Sequence, residues 1–182
     1  MKKTILIVVG VIVIAFIGFF VYTASTTRSH SPFEEVEYSA EDLNVKVTYC
    51  RPFKKGRLIF GPEDQGALVP FDQYWRLGAN DASEITFSKD VDFAGKPVPA
   101  GSYRMYAVPG SSSWEVSLNS ELGKFGFFEP DYSLDVAKVK VPAGSIPNEQ
   151  EQFTIDFSND STAVYMAFKW DKTQVQIPII AQ

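Results

Sequence analysis

The chain has 182 residues, with 17 Lys and Arg against 22 Asp and Glu, a single histidine and a single cysteine. One cysteine excludes an intramolecular disulfide, and one histidine, His30, leaves a Ser-His-Asp relay or a His-rich zinc centre without its groups. The acidic balance lacks the net basic face that nucleic acid or anionic lipid would need as a main partner.

Residues 5–22 carry no charge. As a helix at about 1.5 Å per residue they would reach roughly 27 Å, close to the hydrocarbon thickness of a bilayer. Lys2 and Lys3 precede this run and Arg28 follows it, so the positive-inside bias keeps residues 1–4 in the cytoplasm and sends the rest across. The expectation is a single-pass signal anchor in the inner membrane with its domain on the periplasmic side. A cleaved, secreted form is the alternative. The long apolar core and the bulky Phe19-Phe20-Val21-Tyr22 approach to Thr23-Ala24-Ser25 weigh against it. Residues 23–32, rich in Ser and Thr, read as a flexible tether. Residues 33–182 read as one domain that rests on its core alone. Beyond the anchor, 14 basic residues face all 22 acidic ones, a balance of about −8.

Strand signals dominate that domain, because apolar residues recur at every second position between clusters of Gly, Pro, Asn and Asp. Val45, Val47 and Tyr49 share a face, as do Ile85 and Phe87, then Val91 and Phe93. A turn is expected from Ala94 to Gly101, followed by Tyr103, Met105 and Ala107, then Trp114, Val116 and Leu118. Leu134 and Val136 occupy even positions but Val139 and Val141 odd ones, which predicts a β-bulge near Ala137 and Lys138. A loop from Pro142 to Glu151 precedes Phe153, Ile155 and Phe157, then Val164 to Trp170. A tight turn at Asp171-Lys172 leads to Val175, Ile177 and Ile179. About nine or ten short strands of this kind point to an all-β antiparallel β-sandwich, jelly-roll-like or immunoglobulin-like, preceded by the transmembrane helix.

The chemistry concentrates in Tyr74 to Glu84, a polar and aromatic stretch between two strand-rich halves. Arg51, Arg57 and Arg76 lie near glycines and aromatics. A guanidinium fork matches carboxylate or phosphate oxygens, so three that converged would form an anion site, although each could instead pair with a local carboxylate. Asn80, Asp81 and Ser83 could bind sugar hydroxyls while Tyr74 and Trp75 stack on a ring, or the same residues could close a turn and fill the core. Asp81 with Glu84 is the one carboxylate pair to nominate for glycosidic cleavage. Cys50 reads as a buried thiol rather than a nucleophile. No metal site and no cofactor is expected from these motifs.

An ordered series of motifs carries a resemblance: Tyr49-Cys50-Arg51-Pro52, Lys55-Gly56-Arg57, Ile59-Phe60-Gly61, Leu68-Val69-Pro70-Phe71, Trp75 to Ser83, and Pro99-Ala100-Gly101-Ser102-Tyr103. In these the chain resembles the bacterial family known as domain of unknown function 2911, common in Bacteroidetes-type bacteria, from about Ser31 to Ile179. The family pattern has Ser where Cys50 stands, and Thr-Gly-Ala-Asn-Glu-Ala-Thr where this chain reads Leu77 to Ser83. The resemblance implies an exported β-rich domain and no established activity or catalytic residues.

The leading expectation is therefore a membrane-anchored, non-catalytic binding module in the cell envelope, taking a small anionic ligand, a glycan or an envelope protein. One alternative is a hydrolase built on Arg51, Arg57, Arg76, Asn80, Asp81 and Glu84. Another is a structural envelope subunit whose Trp75 loop is an interface. A concave pocket that gathers the arginines with Asp81 would favour ligand or enzyme; dispersal into surface pairs would favour the structural subunit.

Overall fold

The computed structural model describes residues 2–40 and 43–182; within these, the side chains at 3–8, 23–25, 27 and 28 lie outside the description. A helix α1 spans Lys2–His30. The expected anchor at 5–22 thus includes side chains outside the described ones, and among the described residues no helix is long and apolar enough to cross a membrane. The helix continues through His30, where the Ser- and Thr-rich composition predicts a tether. Thr26 Oγ1 donates to the carbonyl of Tyr22 and Ser29 Oγ to that of Thr26, so these hydroxyls bond back onto the helix instead of competing with it. Pro32, which has no N–H to continue the ladder, follows its end.

The rest is mostly antiparallel β-structure. The strands are β1 (Phe33–Ala40), β2 (Leu43–Cys50), β3 (Phe60–Gly61), β4 (Val69–Pro70), β5 (Ser83–Phe87) and β6 (Val91–Phe93), then β7 (Lys96–Val98), β8 (Gly101–Pro109), β9 (Ser113–Asn119), β10 (Asp135–Asn159) and β11 (Val164–Ala181). Nine of them join in the order β1-β2-β5-β8-β9-β10-β11-β6-β7, and β3 and β4 form a small parallel pair. β10 pairs with β9 from Asp135 to Pro142 and with β11 from Ala143 to Asn159, so one strand links two wings of the sheet. The wings meet across one core: Tyr49 of β2 lies edge-on to Phe153 of β10, and Phe87 of β5 lies against Phe93 of β6. Tyr49 also accepts the Ile155 N–H through its hydroxyl, and burial pushes that phenol up to about 12.

Alternation places most of the core as expected, since successive side chains of a strand point to opposite faces. Leu43, Val45, Val47 and Tyr49 are buried from β2, and Val139, Val141, Phe153 and Ile155 from β10. Cys50 is a buried, unbridged thiol. The bulge predicted near Ala137 and Lys138 is present as a register shift in β10 between Asp135 and Ala137, although Leu134 and Val136 are exposed and not inward on a second face. Two local expectations are corrected. The predicted loop from Pro142 to Glu151 is a stretch of β10 with a register shift between Ser145 and Gln150. Asp171 does adopt the left-handed backbone of a turn (φ 54°), but β11 runs straight through it, opposite Gln150. Pro, Gly and Asp there mark bulges within strands, not breaks between them.

The segment 51–82 connects β2 to β5 across one end of this core. Phe53 bridges to Gln152, Trp75 to Ala107 and Asp81 to Phe125, which pins the connection at three places. Gly78 sits where only glycine fits: its φ is 150°, and a Cβ would meet the carbonyl oxygen of Cys50 at 2.7 Å. Gly78→Ala is expected to lower the unfolding free energy by about 2 kcal/mol, read as a lower urea midpoint at unchanged slope.

Candidate functional site

Trp75 is the keystone of the connection. Its ring is only 6% exposed and stacks on Trp170 with centroids 5.9 Å apart, edge-on to Trp114 at 5.6 Å and to Phe153 at 5.0 Å. Nε1 donates to the carbonyl of Gly78 at 3.3 Å. A ring so enclosed has little surface left to stack on a sugar, so its main role is to hold up the loop and wall the cavity beside it.

Beside it opens a cavity of about 480 Å³, lined by His30, Ser31, Pro52, Lys55, Arg57, Leu68, Val69, Trp75, Arg76, Gly78, Ala79, Asn80 and Trp170. Three permanent cations, Lys55, Arg57 and Arg76, line it, and among the described residues no carboxylate does. Arg57 is held in place by the carbonyls of Lys54 and Phe53, to which its guanidinium donates. Arg76 is half-buried, and its only described partner is the Phe127 ring, 5.8 Å from its guanidinium carbon. Burial, with Arg104 nearby, pushes the Arg76 pKa below its usual range, the mark of a cation short of counter-charge. Asn80 holds the left-handed backbone at φ 58°, and its buried Nδ2 has no hydrogen-bond partner.

The other nominated residues are placed elsewhere. Arg51 is consumed by the scaffold: it donates to Glu34 at 2.8 Å, to Thr154 Oγ1 at 2.8 Å and to the carbonyl of Phe153 at 3.1 Å. Ser83 is buried, with Oγ donating to the carbonyl of Leu77 at 2.6 Å. Glu84 accepts the Gly123 N–H at 2.9 Å and so latches the loop after β9. Asp81 takes part in the bridge to Phe125 and does not line the cavity. The carboxylate pair nominated for hydrolysis is therefore not gathered with the arginines.

Tyr74 belongs to a second polar cluster, which alternation along β8 conceals. Arg104 is fully buried and donates to the Tyr74 hydroxyl at 2.6 Å and to the carbonyl of Phe128, while Glu121 approaches Nη1 at 3.5 Å. Tyr74 in turn donates to the carbonyl of Gly126 at 3.0 Å, and burial raises its pKa. Tyr106 donates to Asp135 at 2.6 Å, and Asn119 donates to the same carboxylate at 2.8 Å. These groups tie down residues 120–134, which cover the far face of β8. Gly126 lets that loop close against the connection, where a Cβ would meet Arg76 Cδ at 2.8 Å and the carbonyls of Asp81 and Asn80 at 2.9 and 3.0 Å.

Lys55 and His30 line the cavity but carried no signal as site residues. Lys55 lies inside a quoted motif, yet nothing in its spacing sets it apart from a solvated lysine. His30 reaches the cavity only because α1 continues to its position.

Fold and site together define an antiparallel β-domain with a cation-lined cavity and no metal-binding cluster among the described residues. The chain belongs to the family described as "Protein of unknown function (DUF2911)", which matches residues 31–179. Comparison with curated proteins gives no match, and comparison with solved structures gives none.

Proposed function

We propose that the protein is a non-catalytic binding module for a small anionic ligand, carried on a periplasmic β-sandwich that an uncleaved helix at 5–22 anchors in the inner membrane. The observation that carries this reading is Arg76: a half-buried guanidinium with no carboxylate partner among the described residues, in a cavity whose described charged lining is wholly cationic. An unpaired buried charge costs free energy in the empty protein, and an anion that enters offsets it. Glycan binding and carboxylate hydrolysis have less support, because Trp75 is enclosed and Asp81 and Glu84 stand apart from the cavity. The anchor is supported by the uncharged run at 5–22 and the flanking Lys2 and Lys3.

The test is thermal melting of the full chain in detergent micelles against inorganic phosphate, sugar phosphates and dicarboxylates. A ligand that binds only the folded state adds about 2.7 kcal/mol at a hundred times its Kd, a shift of several degrees. Arg76→Met is expected to abolish the shift while leaving the unliganded midpoint equal or slightly higher, since it removes a poorly solvated charge. A variant that melts far lower, with no anion shifting the parent, would make Arg76 a scaffold residue and sink the reading.

A further inference from the structure

The cavity is bordered by an aromatic loop that the binding reading leaves unused. Phe125, Phe127 and Phe128 are 49%, 67% and 66% exposed, three large rings within four residues. They are not loosely held. Gly126 N donates to the carbonyl of Asn80, Phe125 bridges to Asp81, and Arg104 holds the carbonyl of Phe128. Phe127 lies over Arg76, which lines the cavity, and Leu68, 43% exposed, lines it too. One face thus offers cations set among fixed, solvent-facing apolar groups, the composition of a surface that docks on an anionic interface.

The position of α1 says which interface. His30, its last residue, lines the cavity. If the span ends at Tyr22, the helix rises about 12 Å more to His30, against a headgroup layer of roughly 5 to 8 Å on each side of the bilayer. The cavity then opens just above the headgroups. The overall acidity of the domain argues against anionic lipid as a partner for its whole surface, but beside this loop Glu121 is offset by Arg104 and Lys124, while Glu129 and Asp131, bonded to the Tyr132 hydroxyl and to Ser133, keep their charge and do not line the cavity.

We propose that the cavity takes the phosphate headgroup of an anionic lipid from the membrane that holds α1, while Phe127 and Phe128 dip into the interface beside it. This rests on the anion-binding and anchor readings above and names their ligand.

The experiment reconstitutes the full chain in nanodiscs of phosphatidylcholine, with or without a minority of phosphatidylglycerol, and follows melting of the β-domain. Phosphatidylglycerol is expected to raise the midpoint by several degrees. Arg76→Met and, separately, the pair F127S/F128S should each remove the rise while melting cooperatively in phosphatidylcholine alone. Lys55→Gln, at an exposed position, serves in place of Arg76→Met should that variant not fold. Phe128→Trp gives a direct readout, and its emission should be quenched by lipid brominated near the headgroup. If soluble glycerol phosphate raises the midpoint in both discs and phosphatidylglycerol adds nothing, the cavity takes a free anion and the lipid assignment is overturned while the binding reading stands. A phosphatidylglycerol rise that survives Arg76→Met and Lys55→Gln, or absence of quenching at position 128, also overturns it. No shift with either probe overturns both readings, and failure of the chain to enter nanodiscs overturns the anchor.

Discussion

Trp75→Ala is expected to lower the unfolding free energy by about 3 to 5 kcal/mol, the range for emptying a buried tryptophan site. The ring touches Phe60, Trp114, Phe153 and Trp170 at once, so its loss opens a void that rigid aromatic neighbours cannot close by small shifts. It also removes the donor that fixes the Gly78 carbonyl and one wall of the cavity. Denaturant unfolding should show a lower midpoint, and anion-induced stabilisation should vanish with it. Trp75→Phe, which keeps a ring in the stack, is expected to recover more than half of the loss. A Trp75→Ala protein that unfolds like the parent would mean that the aromatic stack is not what supports the connection.

Arg104→Ala is expected to be comparably damaging, by about 3 to 5 kcal/mol, for a different reason. Here the loss is electrostatic as well as steric. The Tyr74 hydroxyl and the Phe128 carbonyl lose their buried donor, and Glu121 loses its approach to the guanidinium. Arg104→Met fills most of the space and should recover part of the stability, yet it leaves the same two oxygens without a donor. The effect on residues 120–134 separates the two variants from a simple core defect. Amide exchange in that loop is expected to quicken in both, even where Arg104→Met restores the global midpoint, because the loop is held by polar contacts rather than by apolar burial. Unchanged exchange there would remove the latch role given to Arg104.

What the sequence made legible follows from the range over which each signal acts. The inward faces of β2 and β5 could be read from alternation alone, since the period-two pattern is local and mainly one face of each is buried, whereas in β9 Ser117 and Asn119 are buried on the other face as well. β8 could be read only by half. Tyr103, Met105 and Ala107 are inward as the pattern says, but Arg104 and Tyr106 are buried too, under a loop that begins at Ser120. Residue type alone splits the long strands β10 and β11, because Pro142, Gly144, Pro147 and Asp171 are turn residues. Whether they end a strand or bulge it depends on the partner strand, which a single sequence does not display. The same limit divided the candidate site. Arg57, Arg76 and Asn80 were found by residue type and do converge. Arg51 looked identical to them, yet its partners are Glu34, Phe153 and Thr154, the last two about a hundred residues away in sequence. Glu84 is likewise explained only by Gly123.

The double duty of β10 also fixes when this protein can become a protein. A chain that leaves the ribosome amino terminus first builds β1, β2, β5, β8 and β9 as a half-sheet whose last strand has an open edge and whose apolar face has nothing to lie on. Closure waits for residues 135–181, and with them the final quarter of the chain. Until then the nascent domain is an exposed template for pairing with a neighbour, so the interval before β10 and β11 are complete is when it most needs a chaperone, and no truncation within β10 leaves a smaller stable unit behind.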